Sequence, residues 1–208
     1  MYKKFVKRLL DILAALIGLP FFFIFYLIIA PFIYFEDKGP VFYSGERIGR
    51  NGKLFRMHKF RSMKVNAPDI RLADGSTYNG KDDPRVTKVG RILRETSLDE
   101  IPQLLNILKG EMSLIGPRPD PPDWLDKYPE EYRGFLTARP GITGYSQAYF
   151  RNADESLEKI KHDSYYAEHI SFLFDCRILI KTIQTVFQHE NLYREEDNKT
   201  WSEKCQKQ

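Results

Sequence analysis

Apolar and polar residues are unevenly distributed along this chain, and the longest apolar run lies near its start. From Ile12 to Phe35, 24 consecutive residues carry no charge. As a straight α-helix they would reach about 36 Å, which exceeds the roughly 30 Å of a bilayer core. The run is longer than the apolar region of a signal peptide, about 7–15 residues, and no small-residue cleavage motif follows it. The pattern predicts an N-terminal membrane helix.

Two topologies fit this helix: it spans the membrane, or it enters, bends and leaves on the same side. Pro20 and Pro31 each lack a backbone N–H and can kink a helix. Cationic residues flank the run on both sides, from Lys3 and Lys4 before it to Lys38 and beyond after it. The positive-inside bias would place both flanks on the cytoplasmic face. The residues alone leave the two topologies equally open.

After the apolar run, shorter alternating stretches begin. Residues 39–60 predict two strands joined by a turn, because Asn51-Gly52 is a strong signal for a type I′ hairpin. On the second strand, Phe55, Met57 and Lys59 lie on one face. A lysine on an apolar face is either paired with an anion or extends its ammonium group to solvent from a strand end, and both interpretations stay open.

Two further helices follow from the spacing of apolar residues. Residues 101–109 predict a short helix that ends near Gly110, and residues 156–187 predict a long helix with a wide apolar stripe. That stripe fits either a helix packed in the core or an amphipathic helix on a membrane surface. Residues 64–90, rich in Gly, Asp, Asn and Pro, predict a surface loop before the short helix.

The composition restricts the classes of partner and the compartment, but it identifies no catalytic or metal-binding group. The 208 residues carry a formal net charge of +4, so an anionic partner is compatible with the chain, and we expect no nucleic acid partner. The two cysteines, Cys176 and Cys205, form no paired motif and indicate a reducing compartment. The four histidines make no metal-binding spacing such as H-E-x-x-H.

The adjacent carboxylates Asp99 and Glu100 are the most informative polar pair. Ser97 and Glu100 match a capping box, but this would put Pro102 at the fifth helical position. Asp99 as N-cap would place Pro102 at the third position, where its missing N–H is tolerated. An ionised carboxylate at a helix start beside bound phosphate could act as a nucleophile, with a divalent cation screening the negative charges.

Arginines beside Pro/Gly turns point to the same chemistry. Arg94 lies shortly before the acidic pair, Arg118 lies between two prolines, and Arg139 and Arg151 flank a glycine-bearing loop. Guanidinium groups bind phosphate oxygens in pairs. Each arginine alone is explained as a surface charge, but together they favour a phosphate ligand.

The sequence resembles the bacterial sugar transferase family, the monotopic polyprenyl-phosphate phosphoglycosyl transferases. In size the chain resembles the small, minimal-domain members of this family. The matching stretches run in order along nearly the whole chain: KRLLDI (7–12), GPVFY (39–43), ERIGRNGKLFRMHKFRSM (46–63), RVTKVGRILRETSLDEIPQLLNILKGEMSLIGPRP (85–119), RPGITGYSQ (139–147) and DSYYAEHISFLFD (163–175). Stretches of this length and order are highly specific, although each short one alone is weak.

The resemblance implies an activity: transfer of a sugar-1-phosphate from a UDP-sugar to polyprenyl (undecaprenyl) phosphate, with release of UMP. It also implies Mg²⁺ as cofactor, a place at the cytoplasmic face of the inner membrane in contact with its lipids, and downstream glycosyltransferases as partners. By position, Asp99 is the covalent nucleophile and a metal contact, and Glu100 assists it. The implied substrate-binding residues are Lys59, Arg94, Pro117, Arg118, Pro119 and Arg151.

The resemblance also implies a fold: an α+β, mainly helical protein with a re-entrant membrane helix, a small β-hairpin and amphipathic helices on the membrane surface. We divide the chain into a membrane helix (1–38), a catalytic domain (39–188) and a polar tail (189–208). The family's membrane helix usually bends at a Ser-Pro pair. In this chain the two positions that align with the pair are occupied by Phe23 and Ile24, neither of which is serine or proline. The nearest proline is Pro20.

Two other functions compete with the transferase. The first is a membrane-anchored partner that binds sugar nucleotides without chemistry, against which the intact acidic pair argues. The second is a lipid-phosphate hydrolase, for which His58 beside Lys59 is the sole and weak support. Release of UMP from a UDP-sugar separates the transferase from the binding partner.

Overall fold

The computed structural model describes residues 1–71, 78–150 and 156–188. Six α-helices and four β-strands form these parts, with short 3₁₀ segments between them, and they confirm the predicted α+β, mainly helical fold. The helices are α1 (Lys7–Asp37), α2 (Lys88–Glu95), α3 (Leu104–Lys109), α4 (Tyr145–Tyr149), α5 (Ser156–Glu168) and α6 (Phe172–Gln188). The strands are β1 (Phe42–Ile48), β2 (Leu54–Phe60), β3 (Ser113–Ile115) and β4 (Gly141–Thr143).

Strands β1 and β2 form the predicted antiparallel hairpin, in register from Phe42 opposite Phe60 to Ile48 opposite Leu54. Asn51 and Gly52 both have positive φ, 57° and 74°, as a type I′ turn requires. The inner face of β2 carries Phe55 and Met57, which are 8% and 6% exposed. The hairpin therefore presents the next residue on that face, Lys59, toward the helices.

Strands β3 and β4 form a second, parallel pair that the apolar pattern did not predict. Ser113 pairs with Gly141 and Ile115 with Thr143. The close approach explains a glycine: a Cβ at Gly116 would lie 2.2 Å from the backbone oxygen of Arg139, which no side chain tolerates. This pairing brings the loop after β3, which contains Arg118, beside the loop that contains Arg139.

Both ends of α1 bind the body formed by the other elements. At its start, Lys7 forms an ion pair of 2.7 Å with Asp175 of α6. At its end, Asp37 accepts two hydrogen bonds of 2.6 Å from the Arg61 guanidinium. A bidentate, largely buried pair of this kind also specifies geometry. The helix is thereby fixed to one body at both ends.

The middle of α1 packs on the same body. A Cβ at Gly18 would lie 2.8 Å from Leu104 of α3, and the ring of Phe22 stacks on that of Phe60 of β2 with centroids 6.2 Å apart. Ala15 is fully buried. One side of the helix is therefore covered along its length, and Pro20 and Pro31 lie inside the helix without ending it.

The opposite side of α1 is exposed and apolar. Large side chains there are more than half exposed: Leu16, Ile17, Phe21, Phe23, Ile24, Leu27, Ile28, Phe32 and Phe35. The helical segment Tyr2–Asp37 is long and apolar enough to cross a membrane, with 17% of its most apolar window buried. A continuous apolar surface of this size supports membrane association.

Two helix predictions need correction. Ser97 has φ 58°, and no side-chain hydrogen bond caps the following 3₁₀ segment Leu98–Gln103, so neither the capping box nor Asp99 as N-cap is right. Pro102 lacks the N–H that an α-helix would use, and the regular α-helix starts only at Leu104. It ends as predicted, at Gly110, which has φ 88°.

The long helix predicted for residues 156–187 is two helices, α5 and α6. The Ser171 hydroxyl accepts a hydrogen bond of 3.3 Å from the N–H of Phe174, so Ser171 caps a new helix. On α6, Ile178 is fully buried, while Leu173, Ile180 and Ile183 are at least half exposed. Its stripe thus contributes to the core on one side and leaves an apolar surface on the other.

Candidate active site

A cleft in the described residues has a volume of about 1170 Å³, large enough for a drug-sized or larger ligand. Strand β2, the 3₁₀ segment that follows α2, the loop after β3, and helices α5 and α6 all contribute to its wall. The predicted site residues Lys59, Arg94, Asp99, Glu100 and Arg118 all line it. The fold therefore brings together residues that lie up to 59 positions apart in the sequence.

Lys59 bridges the acidic pair. Its ammonium nitrogen donates a hydrogen bond of 2.6 Å to Glu100 Oε1 and lies 3.7 Å from Asp99 Oδ2. The side chains of Asp99, Glu100 and Lys59 are 10%, 17% and 17% exposed. This contact decides the earlier alternative, because Lys59 is paired with anions and does not extend to solvent.

Arg118 adds a second cation to the acidic pair. Its Nη1 lies 3.6 Å from Glu100 Oε1, and the side chain is 47% exposed. The guanidinium therefore contacts the pair while much of its surface faces the open part of the cleft. Arg94, in the last turn of α2, contributes further positive charge close enough to influence Asp99.

Burial raises the pKa of the Asp99 carboxyl above its usual range. The favourable charge of Lys59 opposes this effect, the neighbouring Glu100 carboxylate adds to it, and Arg94 and Arg118 lower the pKa again. Desolvation dominates because Asp99 is only 7% exposed. A carboxyl with a perturbed pKa in a cleft lined by cations is typical of a functional site.

The remaining predicted residues are placed differently. Pro119 lines the cleft, whereas Pro117 lines a small neighbouring cavity, and its carbonyl accepts a hydrogen bond of 2.9 Å from Gly141 N–H. Arg139 is not part of the cleft wall: it donates to the Gly110 carbonyl at 3.0 Å, at the end of α3. Arg151 lies outside the described residues, so its part in the site stays a prediction.

Two carboxylates are available for a metal. Asp99 and Glu100 lie together in the cleft, while the described residues contain no group of three or more His, Cys, Asp or Glu side chains that could hold an ion. Mg²⁺ is commonly bound by one or two protein carboxylates together with substrate phosphates. The donor set therefore fits Mg²⁺ that arrives with a phosphate ligand, and not a metal held by the protein alone.

The sequence reasoning missed part of the cleft wall. Asp120, Trp124 and Lys159 all line it. Asp120 directly follows the Pro-Arg-Pro motif, and this proximity was the available signal. Lys159 could not be found by spacing, because it lies on a helix 40 residues farther along the chain.

Comparison with known proteins identifies the family. The model of the bacterial sugar transferase family matches residues 2–189. The chain is 40% identical over 188 residues to the UDP-N-acetylgalactosamine-undecaprenyl-phosphate N-acetylgalactosaminephosphotransferase of Aeromonas hydrophila, covering 88% of this chain and 44% of that protein.

Two other relatives show similar identity. The undecaprenyl-phosphate galactose phosphotransferase of Salmonella typhimurium is 37% identical, over 91% of this chain and 42% of its own length. The exopolysaccharide production protein ExoY of Rhizobium meliloti is 41% identical, over 86% of this chain and 84% of its own length. The chain thus spans less than half of the first two relatives. A family match over nearly the whole chain places this protein in the bacterial sugar transferase family.

Proposed function

We propose that the protein transfers a sugar-1-phosphate from a UDP-sugar to polyprenyl phosphate, yielding polyprenyl-diphosphate-sugar and UMP. The single observation that carries the proposal is the buried Asp99, bridged to Glu100 by Lys59 within a cation-lined cleft. A nucleotide diphosphate brings negative charge that these cations would balance. The names of the relatives, which include undecaprenyl-phosphate sugar phosphotransferases, agree with this reaction.

In the proposed first half-reaction, a carboxylate oxygen of Asp99 attacks the sugar-bearing phosphorus of the UDP-sugar. The new bond joins this oxygen to phosphorus, and the bond from phosphorus to the UMP oxygen breaks, so UMP leaves with the electron pair. The charge of Lys59 opposes the effect of burial and favours the ionised form of Asp99. Arg94 and Arg118 lie where they would balance the charge of the diphosphate.

In the second half-reaction, a phosphate oxygen of the polyprenyl phosphate attacks the same phosphorus and displaces the Asp99 carboxylate. Glu100 accepts the proton of the lipid phosphate if it is still bound. Neighbouring residues on a helical segment point in different directions, so Glu100, which is paired with Lys59 and Arg118, would face the acceptor while Asp99 carries the adduct. Mg²⁺, held by Asp99 and Glu100 with the diphosphate, would supply further charge neutralisation.

We also propose that α1 is re-entrant and that the body lies on the cytoplasmic face of the inner membrane. Support comes from the two ends of α1, since Lys7 and Asp37 bind the same body. The 31 residues of α1 would be about 46 Å long as a straight helix. If this helix spanned the membrane, its two ends would lie on opposite sides of the bilayer and could not both bind one body. The apolar face of α6 would then lie on the membrane surface.

The test is a screen of UDP-sugars with polyprenyl phosphate and Mg²⁺, in which released UMP is measured. With a sugar that reacts, the intact protein is then weighed after incubation without the lipid. We expect a mass increase equal to one sugar-phosphate on the native protein and none on Asp99→Asn, which keeps the shape but removes the charge.

The exposed Asp82→Asn serves as the matched control and should keep both UMP release and the adduct. A turning-over Asp99→Asn protein would refute the covalent mechanism. A native protein that binds UDP-sugars but releases no UMP would instead support the non-catalytic binding partner.

A further inference from the structure

An ion cluster joins α5 to the loop after β3, and it contributes Lys159 and Asp120 to the wall of the cleft. The Lys159 ammonium nitrogen lies 2.8 Å from Asp120 Oδ2 and 3.1 Å from Asp163 Oδ2. Asp163 is fully buried, and the Lys159 side chain is 18% exposed. One cation thus serves two carboxylates, one on its own helix and one on the loop after β3.

This cluster holds the loop that carries Arg118. The Lys159 ammonium also contacts the main-chain oxygen of Arg118 at 3.4 Å. Asp120 is held from two further elements, because the Tyr128 hydroxyl donates to its Oδ2 at 2.9 Å and the Ile48 N–H donates to its carbonyl at 2.9 Å. The end of the loop is therefore fixed by α5, by the segment around Tyr128 and by β1.

The start of the same loop is fixed independently. Gly116 N–H donates to the Thr143 carbonyl at 2.8 Å, and the Pro117 carbonyl accepts from Gly141 N–H at 2.9 Å. Arg118 is thus the residue between two attachments, and Pro119 restricts its backbone. The Nη1 atom of Arg118 lies 3.6 Å from Glu100 Oε1. A shift of the second attachment would move this guanidinium group away from Glu100.

We propose that Lys159 is a positioning residue, which acts through Asp120 and the Arg118 carbonyl to keep the Arg118 guanidinium at the acidic pair. The expected effect on kinetics rests on the proposed function. The expected effect on the position of the loop does not depend on it. Lys159 itself is engaged by two carboxylates, so its charge is balanced locally.

Two variants separate loss of the attachment from loss of folding. Lys159→Met leaves the buried Asp163 and the partly buried Asp120 without their cation, which is destabilising in general. Asp120→Ala removes the attachment but leaves Lys159 paired with Asp163, one cation with one anion. Lys161→Met is the matched control, because Lys161 lies on the same helix and is paired with the exposed Glu158.

The structural part is tested by amide hydrogen exchange of the full-length protein in lipid nanodiscs. We expect exchange of the Ile48 amide, which reports attachment of Asp120, to accelerate about tenfold in Lys159→Met and in Asp120→Ala. It should stay within about twofold of native in Lys161→Met. Native exchange at Ile48 in both test variants would overturn the proposal.

The functional part is tested by a double-mutant cycle on UMP release. Lys159→Met should lower kcat/KM at least about tenfold in the native background, and less than about twofold when Arg118 is already alanine. An equal loss in both backgrounds would show that Lys159 does not act through Arg118 and would overturn the proposal. A native protein that releases no UMP refutes the proposed function alone, and the exchange result then decides the positioning role.

Discussion

Replacement of Lys59 by methionine tests whether this lysine sets the ionisation of the proposed nucleophile. Methionine keeps much of the apolar stem of lysine but removes the ammonium group, which lies 3.7 Å from Asp99 Oδ2 and 2.6 Å from Glu100 Oε1. Burial already raises the pKa of Asp99, and Lys59 is the strongest influence that opposes it. Without Lys59, the carboxyl should hold its proton to higher pH.

The size of the effect follows from the distance. Unit charges 3.7 Å apart attract by about 4 kcal/mol at an effective dielectric constant of about 20, which corresponds to about three pKa units. Water that enters the space left by the ammonium group would hydrate the Asp99 carboxylate and reduce the rise in its pKa. We therefore expect the pKa of Asp99 to rise by about one to three units in Lys59→Met.

The assay measures the yield of the sugar-phosphate adduct by intact mass as a function of pH, with a reacting UDP-sugar and no lipid acceptor. The acidic limb of the profile should move to higher pH by the same one to three units, about 10- to 1000-fold in proton concentration, and the yield should recover in alkaline solution. Lys53→Met, in the exposed turn of the same hairpin, should leave the profile unchanged. An unshifted limb in Lys59→Met would refute the assignment of Lys59 as the group that keeps Asp99 ionised.

Three further predictions concern other parts of the molecule. Arg94→Ala should lower kcat/KM for UMP release about 30-fold, since loss of a charged contact in a desolvated site costs at least about 2 kcal/mol; native kinetics in a folded variant would make Arg94 a surface charge. In a cysteine-free background, Lys4→Cys and Lys38→Cys should both react with an impermeant thiol reagent from the cytoplasmic side only, and labelling of the two from opposite sides would establish a spanning helix. Burial raises the pKa of Asp163 to about 6, whereas an aspartate in the unfolded chain has a pKa of about 3.9. Between these two values the unfolded chain loses the proton while the folded protein keeps it. The free energy of unfolding therefore falls as the pH rises through this range. The free energy of unfolding of the native protein should therefore fall relative to that of Asp163→Asn by up to about 3 kcal/mol from pH 4 to pH 7, and a constant difference would contradict the raised pKa of the buried carboxyl.

Features that depend on neighbouring residues could be predicted from the sequence. The hairpin turn follows from Asn51-Gly52, because both residues tolerate the positive φ that the turn requires. The end of α3 follows from Gly110 for the same reason. The place of Lys59 on the apolar face of β2 followed from the pattern too, but the pattern left pairing with an anion and extension to solvent equally open, and the contacts with Asp99 and Glu100 decide for pairing.

Features that depend on distant contacts could not be predicted. Strands β3 and β4 have three residues each, too few to show alternation, and their pairing joins residues 28 positions apart. The structure of residues 97–103 was mispredicted because the N-cap rules assume an α-helix, whereas Ser97 adopts positive φ and Pro102 favours a 3₁₀ segment. The break between α5 and α6 had a local signal, Ser171 as a cap, which the continuous apolar stripe obscured.

The contact between Leu104 and Gly18 has a kinetic consequence for the proposed reaction. The 3₁₀ segment that carries Asp99 runs directly into α3, and α3 is packed on the middle of α1. With α1 in the membrane as proposed, this packing would hold the acidic pair at one height relative to the membrane surface, and the proposed lipid acceptor would not have to leave the bilayer. The lipid acceptor would reach the site by lateral diffusion in two dimensions, while the nucleotide donor would reach it by diffusion in three dimensions. The rate of the second half-reaction should then follow the surface density of the lipid phosphate in the membrane, at a given bulk concentration of lipid.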